Sequence, residues 1–197
     1  MNARQNRLGI INKRELEEAE NAALAIAFNE LPRMYEVNHH FISADIRMVH
    51  KAWLGGIYEW AGEYRQVNVH KGDISFASAK QIPQLMDLLE KGPLLRNTPC
   101  NFRSADRVTR ALAEVHVELI LIYPFPGGNG RAASILASLM ALQAGLPILD
   151  FRDIKGKKKY EYFSAIHRGL YGDYNPMEEL FAQIILTSVK ARSRRKY

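Results

Sequence analysis

Tyr123-Pro124-Phe125-Pro126-Gly127-Gly128-Asn129-Gly130-Arg131 is the stretch on which the reading of this chain turns. Val117 to Ile122, just before it, contains one polar residue in six, and between Ala132 and Leu142 only Ser134 and Ser138 are polar. Apolar residues nearly all round a helix mark a buried central helix. The sequence therefore places a Pro- and Gly-rich loop between two core helices. A Pro-Phe-Pro run cannot propagate a helix, because proline lacks the N–H and disfavours α geometry in the residue before it. Gly-Gly-Asn-Gly can turn through positive φ and leave consecutive N–H groups facing one point. Those donors stand at the N-terminus of the second helix, where the dipole favours an anion, and Arg131 adds a formal charge. Gly128, Asn129, Gly130 and Arg131 are thus a candidate phosphate site. The competing reading is a tight helix–helix turn.

Working outward, Ser104 can cap a helix that runs to Ile122, with Val108, Leu112, Val115, Leu119 and Ile122 on one face. His116 lies two turns before Tyr123, ~10 Å along the axis. That is too far for a catalytic pair, so it reads as a hydrogen-bonded core histidine. The helix after the loop is expected to end at Gly145, ahead of Pro147. Residues 159–171 and 176–192 complete the helical set.

On the N-terminal side, residues 12–30 read as a helix capped by Asn12, with Glu15, Glu17, Glu18 and Glu20 in its first turns. Residues 45–64 read as a helix ending near Gly62, with Ile46, Val49, Trp53, Ile57 and Trp60 at helical spacing. Residues 82–89 start a further helix that should stop at Gly92-Pro93. Between them, 66–76 switches to alternation about Lys71-Gly72-Asp73, a hairpin signal. The fold class expected is mainly α: one domain over 1–197, with seven or eight helices and one small hairpin.

The loop resembles the motif of the Fic (Fic/Doc, or Fido) family, His-Pro-Phe-x-(Asp or Glu)-Gly-Asn-Gly-Arg-x-x-Arg, set between two core helices. Pro124, Phe125, Gly128, Asn129, Gly130 and Arg131 match. Tyr123, Gly127 and Ser134 stand where the family has its histidine, its acid and its second arginine. The resemblance implies transfer of AMP from ATP, or from another nucleotide with Mg²⁺, to a hydroxyl of a target protein. It also implies that Val69, His70, Lys71, Gly72, Asp73 and Ile74 form a flap that docks the target's backbone by strand addition. Glu20-Asn21 is similar to the end of the family's inhibitory helix motif, with Leu16 at its Ser/Thr position and Ser134 where the glutamate's arginine partner would stand. Trp60-Ala61-Gly62-Glu63-Tyr64-Arg65 resembles a structural segment of the same family, and a toxin–antitoxin setting is implied with it.

The three departures bear on chemistry. Imidazole titrates near neutrality and can act as general base, whereas tyrosine, with a pKa near ~10, is almost wholly protonated. Glycine offers Mg²⁺ no side-chain ligand, so no metal-binding residue is expected. The reading is an adenylyltransferase relative with weak or absent activity, or else a non-catalytic interaction protein that binds a target or regulatory partner through its flap. His70 as a substitute base is less favoured than an exposed turn histidine.

Composition bounds the rest. Hydrophobic residues make up 47% of 197, and no apolar run has the length of a membrane span. The single cysteine, Cys100, excludes an internal disulfide. With no apolar signal segment at the N-terminus, the expected compartment is the cytoplasm. The net charge of +6 is concentrated in 152–159 and 190–197; without them, 17 basic residues face 20 acidic ones. These segments are a candidate nucleic-acid surface, but the 190–197 tail lacks interleaved aromatics and reads as a flexible, solvated end.

Overall fold

The computed structural model describes residues 5–71 and 74–194. Its helices are α1 (Lys13–Glu30), α2 (Ser43–Leu54), α3 (Ile82–Leu89), the single turn α4 (Leu95–Asn97), α5 (Ala105–Ile122), α6 (Asn129–Gln143), α7 (Lys157–Gly169) and α8 (Asn175–Arg194). Strands β1 (His70–Lys71) and β2 (Ile74–Ser75) pair antiparallel, His70 with Ser75 and Lys71 with Ile74. The helix α5 is the axis: α3, α6, α7 and α8 all pack on it. The next helix, α6, is buried nearly all round, with Ala132, Ala133, Ile135, Leu136, Leu139 and Met140 in the core. This is the central pair that the apolar runs around the loop require.

The N-cap of α1 is Asn12, whose Oδ1 accepts from the N–H of Arg14 and Glu15. Three expectations need correction. The helix expected over 45–64 is Ser43–Leu54 only. Gly55 and Gly56 weaken propagation, Gly62 sits at φ +83°, and the chain from Ile57 to Ala61 folds inward as an irregular segment. The 3–4 spacing of Trp53, Ile57 and Trp60 marked burial, and burial is not confined to helices.

Gly92-Pro93 does not stop the third helix. The chain widens there into a π turn, Glu90–Leu94, closed by Leu95 N–H on Glu90 O. A wider turn lets the helical path pass a residue that has no N–H to donate. The hairpin is shorter than the 66–76 alternation suggests. Each strand has two residues, lengthened by the Phe76 N–H to Val69 O bond of 3.3 Å. Gly72 and Asp73, the expected turn, lie outside the described residues, as does 195–197 of the basic tail. Among the described residues no helix is long and apolar enough to cross a membrane.

Candidate functional site

The loop begins where α5 ends. Tyr123 caps that helix in the left-handed region, φ 52° and ψ 59°, and donates its N–H to Leu119 O at 3.1 Å. A non-glycine residue is rare there and marks a position that its surroundings enforce. Arg65 is the main enforcer. It is 1% exposed and has no carboxylate partner among the described residues; it donates instead to four backbone carbonyls. Tyr123 O (2.7 Å) and Ile122 O (3.3 Å) lie at the junction of α5 and the loop, and Val67 O and Ala77 O flank the hairpin. One guanidinium thus ties the base of the flap to the start of the loop.

A second clamp holds the middle. Gly62 N–H donates to His50 Nδ1 at 2.9 Å, so the ring proton is on Nε2, which donates to Gly127 O at 3.0 Å. Burial lowers the His50 pKa to about 4 and keeps the ring neutral. The ring also stacks on Phe125 at 3.9 Å. Asn129 turns its side chain into the loop, accepting from Phe125 N–H and donating to Phe125 O, both at 2.8 Å. Its amide is therefore a staple of the turn, and only its backbone N–H is free to face an anion. Gly128, at φ +75°, lies against Trp53 so closely that an added Cβ would come within 2.8 Å of the ring.

The first α6 hydrogen bond runs from Ala132 N–H to Gly128 O, 2.9 Å. The N–H groups of Asn129, Gly130 and Arg131 therefore precede any intrahelical acceptor, as an anion nest requires. Arg131 faces this end of the helix, and a carboxylate is already there. Glu20 Oε2 lies 3.0 Å from Arg131, and its Oε1 accepts from Tyr58 OH at 2.6 Å. Trp53 Nε1 donates to Glu20 O at 3.0 Å, and the Arg131 guanidinium sits 5.1 Å over the Trp53 ring. The expected geometry is corrected here: Glu20 pairs with Arg131, the motif arginine that is present, and not with position 134. Ser134 bonds Gly130 O at 3.0 Å.

At the family's histidine position, the Tyr123 ring is stacked on Phe76 at 3.9 Å. Burial raises its pKa above the ordinary tyrosine value, outweighing the hydrogen bond from Asn129 and the charge of Arg65. His116 is held by Tyr162 OH at 2.7 Å, and burial lowers its pKa to about 4, the core histidine expected. His70 is exposed on β1. Among the described residues no cluster of three or more His, Cys, Asp or Glu could hold a metal.

The model of the Fic/DOC family matches residues 40–141, more than half of the chain. The chain belongs to that family. The match spans α2, the hairpin, α5, the loop and most of α6, and Glu20 on α1 lies outside it. The probable protein adenylyltransferase Fic of Escherichia coli K12 is 27% identical over 92% of this chain and 86% of its own. The N-terminal Fic domain of a putative cell filamentation protein from Bartonella quintana, with bound ADP, is 25% identical at a TM-score of 0.74, over 91% of this chain and 89% of that one. BepC of Bartonella tribocorum, with bound AMPPNP, shares the fold at a TM-score of 0.75 and 24% identity, over 91% of this chain and 90% of that one.

Sequence reading missed His50, Trp53, Tyr58 and Arg65 as parts of this Fic site. The first three lie on a run read as helical core, and Arg65 in a segment read as structural. The readable signal was an arginine directly after the aromatic segment Trp60 to Tyr64.

Proposed function

We propose that this Fic protein binds a nucleoside di- or triphosphate at Gly128–Arg131 and has lost, or nearly lost, AMP transfer to protein hydroxyls. The observation that carries the binding half is the Glu20–Arg131 contact: a carboxylate of the chain sits at the charge a phosphate would use. The nucleotide-bound Fic relatives support the class of ligand. Glu20 acts as an internal competitor. Its pairing, with side chains 17% and 40% exposed, weakens nucleotide binding by about 1–2 kcal/mol, roughly tenfold.

The catalytic half rests on Tyr123. A half-buried phenol with a raised pKa cannot take the proton of an attacking hydroxyl near neutrality, and loss of a general base costs ~10²- to 10⁴-fold. The residues present do not fit Mg²⁺ either. Gly127 brings no side-chain oxygen and its carbonyl is taken by His50, a Cβ there would lie 3.2 Å from Trp60, and Glu20 is already engaged. The flap, hung from Arg65 and Phe76, offers a short backbone edge at Val69, His70 and Lys71 for a target or regulatory chain. The setting proposed is cytoplasmic, where Cys100, buried with its thiol pushed up to about 12, stays reduced and inert.

The test is incubation with α-labelled ATP, Mg²⁺ and a lysate. No labelled protein is expected from the parent, and Tyr123→His alone should not reach full transfer because Gly127 still leaves the metal unheld. Strong labelling by the parent that vanishes in Tyr123→Phe would make the phenol catalytic and overturn the reading.

A further inference from the structure

Behind α1 the structure has a cavity of about 1050 Å³ that the nucleotide reading does not use. Its volume is at the upper end of ligand pockets, roughly 300–1,000 Å³. It touches the loop–helix motif only at Arg131 and Ser134; α1, the 147–152 segment and the end of α8 supply the other walls.

Its walls are apolar: Leu24 and Phe28 from α1, Leu142 from α6, and Ile148 and Phe151 from the connecting segment. Ile148 is 39% exposed, so this surface is not closed by the chain's own packing. At the motif end, the short Ser134 side chain folds back onto Gly130 O and leaves the space unfilled.

Charge decides the ligand class. Four charged residues line the cavity: Arg131, Arg152, Arg192 and Asp150. Arg131 is paired with Glu20 and Arg152 with Asp150, whereas exposed Arg192 has no ion-pair partner among the described residues. The fold also gathers basic residues that lie far apart in the sequence. The helices α7 and α8 pack together through the short connection 170–174, and Asp150 N–H bonds Ser188 Oγ at 2.9 Å. The 152–159 segment is therefore brought to the end of α8 that carries Lys190, Arg192 and Arg194. An apolar cavity with an uncompensated guanidinium at its rim, in a basic neighbourhood, fits a ligand that is apolar along its length and negative at one end.

We propose that this cavity binds an aliphatic carboxylate, its chain between Leu24, Phe28, Leu142 and Ile148 and its carboxylate on Arg192. The chain and the carboxylate both lie away from the anion nest, which the cavity meets only at Arg131.

The test titrates the full chain with sodium dodecanoate, below its micellar range, by calorimetry and amide-detected NMR. Dodecanol and acetate serve as probes that keep only the chain or only the charge. Dodecanoate should bind saturably at one site, with shifts confined to residues 21–28, 134–152 and 188–192. Dodecanol and the Arg192→Ala variant should each bind about tenfold more weakly, the loss of one charge-assisted contact. Acetate should not bind measurably. Ala25→Trp, at an exposed lining position where added bulk does not disturb the core, should abolish binding with an unchanged circular dichroism spectrum. Absence of saturable binding, equal affinity for dodecanol and dodecanoate, or full affinity in Ala25→Trp would each overturn the proposal. ADP affinity, measured alongside, reports separately on the nucleotide site.

Discussion

Arg65 and Arg131 both reach the loop that links α5 to α6, but their surroundings differ. Arg65 is buried and saturated by four backbone carbonyls from two segments of chain. Arg131 is partly exposed and meets one carboxylate, that of Glu20 on another helix. A guanidinium satisfied by carbonyls has no ligand to exchange; it fixes geometry. A guanidinium that meets a single carboxylate at a partly exposed position can trade that partner for a phosphate. The same residue type therefore separates a structural start of the loop, anchored at Tyr123, from a ligand-facing end at Arg131.

The largest expected effect tests the structural start. Arg65→Met should strand four carbonyls and cost about 4 kcal/mol or prevent folding, at about 1–3 kcal/mol per unsatisfied buried group with partial relaxation. Arg131→Ala should cost only about 1 kcal/mol. Urea unfolding of both variants makes the comparison, and equal losses would erase the distinction drawn between the two arginines.

Next in size is Gly128→Val. Bulk at a nest glycine would by itself only block the phosphate. With φ at +75° and Trp53 against the Cα, it should instead destabilise the domain by about 3 kcal/mol. A folded Gly128→Val protein of parental stability that merely fails to bind nucleotide would restore the simpler explanation.

A smaller effect is one of pH. His50 and His116 both have pKa values lowered to about 4 by burial. The unfolded chain takes up these protons below pH ~6.5, whereas the folded chain resists until about 4. Their contribution is therefore full above ~6.5 and is lost as pH falls towards 4, at about 1.4 kcal/mol per pH unit for each imidazole. Unfolding free energies at pH 7, 6 and 5 should show this slope, and His50→Gln should roughly halve it. A flat profile would mean that the His50 clamp on Gly127 is not held neutral.

Much of this was legible in the sequence. The apolar runs around the loop gave α5 and α6, because a helix that is apolar all round can only be central. Pro-Phe-Pro and Gly-Gly-Asn-Gly gave the loop and its facing donors. The extent of the second helix was not legible, because Trp53, Ile57 and Trp60 keep helical spacing through a segment that is irregular but equally buried. Nor were the partners of the loop. His50 and Gly127 are 77 residues apart, and Arg65 and Tyr123 are 58 apart. Periodicity tells which face a residue presents, not which distant atom it meets. The partner of Glu20 was not legible for the same reason. Motif logic pointed to position 134, whereas the packing of Tyr58 and Trp53 around Glu20 directs its carboxylate to Arg131.

The central claim is that Arg131 is an anion site held by Glu20, and calorimetric titration of ADP tests it most directly. The parent should bind weakly, Glu20→Gln about tenfold more tightly, and Arg131→Ala not measurably, with the circular dichroism of all three alike. Adding Glu20→Gln to Arg131→Ala should recover nothing, since the two residues act on one site. If Glu20→Gln binds ADP no better than the parent, or if Arg131→Ala binds it equally well, the loop is a structural turn and the account is wrong.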